Sequence, residues 1–253
     1  MPEAPNNIPM RDLRIRPPGG AHGFTLIEMA IALFIITLLV GSLLVPVSKQ
    51  MEMRQRSVTQ TALDEIREAL LGFALAKGYL PCPAVSAVNG LEDRAGAVCN
   101  GGKRQGFIPW ATLGVSKLDA WGNIFLYSAT PAFTSGAVTF SLSTAPDITI
   151  RTRDSAGALT NLTNANTVVA VVLSFGTNGY GANSDQGVAQ ALPPTWPGSY
   201  IDENMNATGT TIFVSRVPQG QGASGTGGEF DDIVVWLPAY TLFNRMVTAK
   251  QLP

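Results

Sequence analysis

The sequence predicts an α+β chain: a long N-terminal spine helix, membrane-spanning in its first half, packed on an antiparallel β-sheet domain. Two observations carry this reading. An uninterrupted apolar block, Phe24 to Val45, is followed by a helical apolar stripe that continues to Phe73. Beyond it, short apolar runs alternate with Gly, Pro, Asn and Asp to the end of the chain.

Residues 1–23 are polar and Pro-rich, with Arg11, Arg14 and Arg16 against Glu3 and Asp12. Phe24 to Val45 then supplies about the ~20 apolar residues that cross a bilayer as a helix. Basic residues before it and none within it predict that the N-terminus stays cytoplasmic. The block holds one charge, Glu28. An ionised carboxylate there costs about 2–3 kcal/mol, which predicts a partner for it. The rest of the composition is bland: 253 residues, 14% charged and a formal net charge of -1. Nothing in it attracts nucleic acid or anionic lipid in a general way.

Three explanations of the N-terminal block compete. A secretory signal peptide has an apolar core of roughly 7–15 residues and a small-x-small cleavage site. Here the core is longer, although Val40-Gly41-Ser42 makes a weak site. A plain anchor leaves Glu28 unexplained. The third explanation is specific: Gly23 followed by Phe24-Thr25-Leu26-Ile27-Glu28 and an apolar run resembles the prepilin processing motif of type IV pilins and type II secretion pseudopilins. The resemblance implies cleavage between Gly23 and Phe24 by a prepilin peptidase, with N-methylation of Phe24. It also implies that Glu28 pairs with the new Phe24 amine of a neighbouring pilin or pseudopilin subunit, each buried charge offsetting the desolvation of the other. Inner membrane assembly machinery is then a further partner. The expected location is a single pass of the inner membrane with a periplasmic domain, and afterwards a filament at the cell envelope.

The expected segments are therefore a leader at 1–23, a transmembrane or filament-core helix at 24–47, an amphipathic half-helix at 48–79 and a β-rich domain at 80–253. In the half-helix, Val58, Ala62, Ile66, Ala69, Leu70 and Phe73 share one face, and Arg56, Gln60, Asp64, Arg67 and Glu68 take the others. Gly78 reads as the helix stop, with Pro81 just beyond. A break into two helices at Pro46 stays open, because an interior proline costs about 3 kcal/mol.

Strands are expected at Ile124–Ala129, Val138–Leu142 and Ile148–Thr152, the last two joined around Pro146-Asp147. Thr167–Phe175 is the most apolar and reads as a central strand. Thr211–Val217 and Asp232–Leu237 follow, and Tyr240 to Lys250 reads as a closing helix. Asp119-Ala120-Trp121-Gly122-Asn123 with Tyr127 is similar to the Asp-Pro-Trp-Gly-Asn motif of the major pseudopilin, with Ala120 in place of proline. Ser174–Gly179 and Phe230–Ile233 with Trp236 resemble the C-terminal loop of that family, separated here by an insertion at 181–228. Trp121 and Trp236 read as core aromatics with satisfied N–H groups.

Cys82 and Cys99, the only cysteines, lie beyond the apolar block and read as a disulfide of an oxidising compartment. Asn178, Asn183, Asp185, Asp231 and Asp232 offer the hard oxygen ligands that calcium prefers. The related pseudopilin loop binds calcium, but its ligand spacing is not preserved here. Asp231, Asp232 and Asn178 are the best candidates, against an alternative in which these side chains only hold turns. The single histidine, His22, lies in the leader, and no P-loop or dinucleotide motif is present, so no enzyme is expected. A structural subunit, a minor pilin or pseudopilin, is the reading these observations favour. The alternative is a membrane-anchored periplasmic binding or adhesion protein that is not assembled in a filament.

Overall fold

The computed structural model describes residues 23–137, 139–196, 198–220 and 225–252, apart from the side chains of 40–47. The leader expected at 1–23 thus lies outside the described residues except for Gly23. The chain divides into two compact units, Met1–Ser48 and Lys49–Pro253.

One helix, α1, runs from Leu26 to Lys77, through Pro46. In the second unit its buried stripe is Thr59, Leu63, Ile66, Leu70 and Ala74, a spacing of four, three, four and four that keeps one face inward. The stripe is rotated from the expected one: Val58 is exposed, and Thr59 turns in because its hydroxyl accepts a hydrogen bond from the Ala120 N–H at 3.1 Å. Gly78 stops the helix as expected. It takes φ +80°, where a side chain is strained, and its N–H donates to the Ala74 carbonyl at 2.8 Å. Among the described residues no helix is long and apolar enough to cross a membrane. The side chains of 40–47, the second part of the expected membrane helix, lie outside that set.

After α1 come a small hairpin, β1 (Arg94–Ala95) and β2 (Val98–Cys99), then β3 (Gln105–Phe107) and a short helix α2 (Trp110–Leu113). They are followed by β4 (Leu126–Ala129), a helical turn α3 (Pro131–Thr134), β5 (Thr149–Arg153), β6 (Leu159–Asn161) and β7 (Val168–Ser174). The chain closes with α4 (Ile201–Thr208), β8 (Ile212–Val214), β9 (Ile233–Pro238) and α5 (Ala239–Thr248).

The main sheet is antiparallel throughout, in the order β3-β4-β7-β9. All seven residues of β7 are buried, as a strand covered on both faces requires. Val169 and Val172 pack with Leu63, Ile66 and Leu70 of α1 and with Leu242 and Met246 of α5. Val168, Val171 and Leu173 pack on Ile148 and on Ile150 and Phe213 of a second sheet, ordered β6-β5-β8. The sheet is therefore a middle layer and not the bare floor under one helix.

One expectation fails. The segment at Val138–Leu142 is not a strand: Val138 lies outside the described residues and 139–142 are coil and turn. Its anchor is a single side chain, Phe140, 3% exposed, whose ring lies 4.9 Å from that of Phe133 and 6.2 Å from that of Phe243. No hairpin can then form around Pro146-Asp147, and β5 pairs with β6 instead. Within the second sheet β5 and β6 are antiparallel, and β8 adds to β5 in parallel. The chain between them, which includes β7 and α4, is long enough for the crossover that a parallel pair needs.

Cys82 and Cys99 form a disulfide with Cα atoms 5.4 Å apart, tying β2 to the chain just after α1. Nearby, the buried Tyr127 hydroxyl donates to the Pro81 carbonyl at 3.0 Å.

Candidate functional site

The N-terminal motif builds a helix start. Thr25 and Glu28 form a capping box: the Glu28 N–H donates to Thr25 Oγ1 at 3.2 Å, and Glu28 Oε2 accepts from the Thr25 N–H at 3.0 Å and from its hydroxyl at 3.1 Å. The T-x-x-E spacing in the sequence carries this signal, which a reading centred on the carboxylate as an assembly group passes over. Phe24 is 82% exposed. Gly23 lies outside the helix, and a Cβ added to it would meet no described atom within 4 Å. Among the described residues nothing requires glycine there.

The second candidate site lies in the Lys49–Pro253 unit, where α4 meets the turn before β9. The acidic first turn of α4 suits the positive end of the helix dipole, yet its two carboxylates have different surroundings. Asp202 is fully buried and neutralised by two guanidinium groups. Arg153 donates to it at 2.8 and 2.7 Å, and Arg216 Nε lies 2.7 Å from Oδ2. Glu203 is equally buried and forms no ion pair among the described residues. Its Oε1 accepts from the Asn178 side-chain amide at 2.9 Å and from the Asp231 N–H at 3.1 Å. No donor among the described residues reaches Oε2.

Asp231 and Asp232 repeat the pattern. Asp231 Oδ2 accepts from the Asn178 N–H at 2.8 Å, and Asp232 Oδ2 from the Asn206 amide at 2.7 Å. Oδ1 of each is buried without a donor among the described residues. Glu203, Asp231 and Asp232 each offer a carboxylate oxygen within 4.8 Å of the other two. Burial pushes the Glu203 carboxyl up to about 8 and that of Asp231 up to about 6. It also raises Asp232 well above its ordinary value, helped by the charge on Glu203. Three carboxylates so placed retain protons or share a hard cation. Without either, desolvation of unpaired charge is too costly.

Of the residues expected to bind calcium, the structure brings Asp231 and Asp232 together. Asn178 borders them in another capacity: its amide nitrogen orients Glu203, and its Oδ1 closes a turn by accepting from the Tyr180 N–H at 3.0 Å. Asn183 and Asp185 lie elsewhere. Asn183 bridges to Ala189, and Asp185 is committed to an ion pair with Lys117. Glu203 was not expected. Its only trace in the sequence is an acidic pair in a stretch uncharged from Gln186 to Ile201.

The Asp119 motif is architectural. Asp119 accepts from the N–H groups of Trp121 and Asn123, at 3.0 and 2.9 Å, and from the Ser174 hydroxyl at 2.6 Å, joining the approach to β4 to the end of β7. Trp121 packs against the core as expected, but its indole N–H, expected to be satisfied, meets no acceptor among the described residues.

Compared with families of known proteins, residues 19–44 match the prokaryotic N-terminal methylation motif. A comparison with curated proteins and one with solved structures gave no match.

Proposed function

From the prepilin-type cleavage and methylation motif at residues 19–44, which type IV pilins and pseudopilins share, we propose that this chain is a minor pilin or pseudopilin. It is a structural subunit of a pilus-like or type II secretion filament. A prepilin peptidase removes the leader after Gly23, the apolar block holds the subunit in the inner membrane, and other pilin subunits take it up. The observation that carries this reading is the junction itself: a glycine that no contact among the described residues requires stands directly before an apolar helix with a carboxylate at its N3 position. Sequencing of the membrane-extracted protein should place the mature N-terminus at methylated Phe24. A start after Ser42 would replace the filament subunit with a signal-peptide-bearing secreted protein.

A second property is favoured by the unpaired oxygens of the Asp231-Asp232 turn. We propose that this turn holds a calcium ion. Calcium takes 6–8 oxygen ligands and tolerates irregular arrangements of carboxylates and carbonyls. The melting temperature of the mature protein should then rise in excess calcium relative to chelator, by an amount set by RT ln(1 + [L]/Kd).

A further inference from the structure

We propose that Glu203, on helix α4 of the 181–228 insertion, is a third protein ligand of the ion at the Asp231-Asp232 turn, so that the insertion and the C-terminal turn close on one cation. This rests on the calcium reading above and adds a residue from a different part of the chain, 28 positions from Asp231.

Three independent observations support it. First, the Glu203 side chain has no accessible surface, and its Oε2 meets no donor among the described residues. A buried acceptor left unmade costs about 1–3 kcal/mol, and more when charged, so an oxygen in this state calls for a partner. Second, the neighbouring Asp202 shows how the fold neutralises a structural carboxylate here: Arg153 and Arg216 close on it. Glu203 receives no such partner among the described residues. The donors it does meet, the Asn178 amide and the Asp231 N–H, both use Oε1 and hold the carboxylate beside the turn. Third, the three carboxylates satisfy a common distance limit of 4.8 Å, with Asp232 fixed in turn by Asn206, one helical turn along α4 from Glu203.

The charges favour a hard divalent ion. Three carboxylates carry three negative charges. Arg56, whose Nη1 donates to the Asp231 carbonyl at 3.2 Å, and Arg216 next to Asp202 are the nearby cations. A divalent ion then brings the cluster close to neutrality. Magnesium demands near-octahedral geometry and keeps several waters, which a cluster buried to this degree accommodates less well than calcium does.

The test uses the full mature protein in detergent with calcium chloride as the probe, read by isothermal titration and by melting temperature against chelator. Wild type should bind one calcium and melt higher with it. Glu203→Gln keeps the size of the side chain and its acceptor for Asn178, so its melting temperature in chelator should equal or exceed that of wild type. Its calcium affinity should fall at least tenfold, and its gain in melting temperature should shrink accordingly. Asp185→Asn, outside the cluster, should leave the calcium affinity and the calcium-induced gain in melting temperature unchanged. If Glu203→Gln binds calcium with wild-type affinity, Glu203 is not a ligand and the inference fails while the calcium reading stands. If wild type shows neither calorimetric binding nor a melting shift, the calcium reading fails and takes the inference with it.

Discussion

Asp202 and Glu203 are adjacent carboxylates in one helical turn, both fully buried, yet they have opposite electrostatic settings. Asp202 is enclosed by two guanidinium groups. Glu203 faces amide donors and two further acids, so burial lifts its carboxyl to about 8 while that of Asp231 rises to about 6. The ordinary values are 4.5 and 3.8. Between the ordinary and the raised value the folded protein holds a proton that the unfolded chain has released, so stability falls as pH rises. The contribution is complete below the ordinary value and is lost as pH passes through about 6 and then about 8. In metal-free buffer the denaturation midpoint should therefore be lower at pH 8.5 than at pH 5.5, and Glu203→Gln should flatten the part above pH 6. A midpoint that rises over this range in wild type would contradict the assignment. None of this could be read from the sequence, where Asp202-Glu203 is only an acidic pair after a long uncharged stretch.

At the scale of elements, what the sequence showed depended on how local the cause was. The stop of α1 at Gly78 and the central place of β7 follow from a few neighbouring residues, a left-handed glycine and an unbroken apolar run. Helix α4 escaped because its inward face is polar: Asp202, Glu203 and Asn206 are buried, while Ile201 is 45% exposed. It therefore lacks the apolar stripe by which amphipathic helices are recognised. The parallel β5·β8 pair escaped because its partners lie about 60 residues apart, and no local pattern marks a pairing at that distance. The β1–β2 hairpin is held by local chemistry, the Cys82–Cys99 bond, across a sequence separation of 17. A loop of that size gives a disulfide about 3 kcal/mol in the chain-entropy model. Replacing both cysteines with serine should lower the melting temperature by about 6–12 °C, since 1 kcal/mol corresponds to about 2–4 °C at this chain size. Membrane insertion should be unaffected. An unchanged melting temperature would mean that the hydrogen bonds of the hairpin hold it without the covalent link.

For the molecule as a whole, the two units make separate demands, and Glu28 is where folding and assembly can be told apart. The apolar helix start gains from Glu28 through the reciprocal hydrogen bonds of the capping box with Thr25. That gain needs only a side-chain acceptor, which glutamine also supplies. A plain membrane anchor would thus tolerate Glu28→Gln and would insert Glu28→Val at least as well as wild type, because a group that is costly in lipid has gone. A filament subunit has a second need. Cleavage after Gly23 leaves an ammonium at Phe24 among apolar neighbours, and leaving one member of a buried charge pair alone costs about 3–5 kcal/mol. Both variants should therefore be processed and reach wild-type abundance in the inner membrane, and both should be lost from sheared or cross-linked filament fractions. Loss of Glu28→Val alone, with Glu28→Gln assembling normally, would show that the capping hydrogen bonds and not the charge set assembly. Recovery of both variants at the wild-type level would remove the filament role from Glu28 and favour a membrane-anchored binding protein.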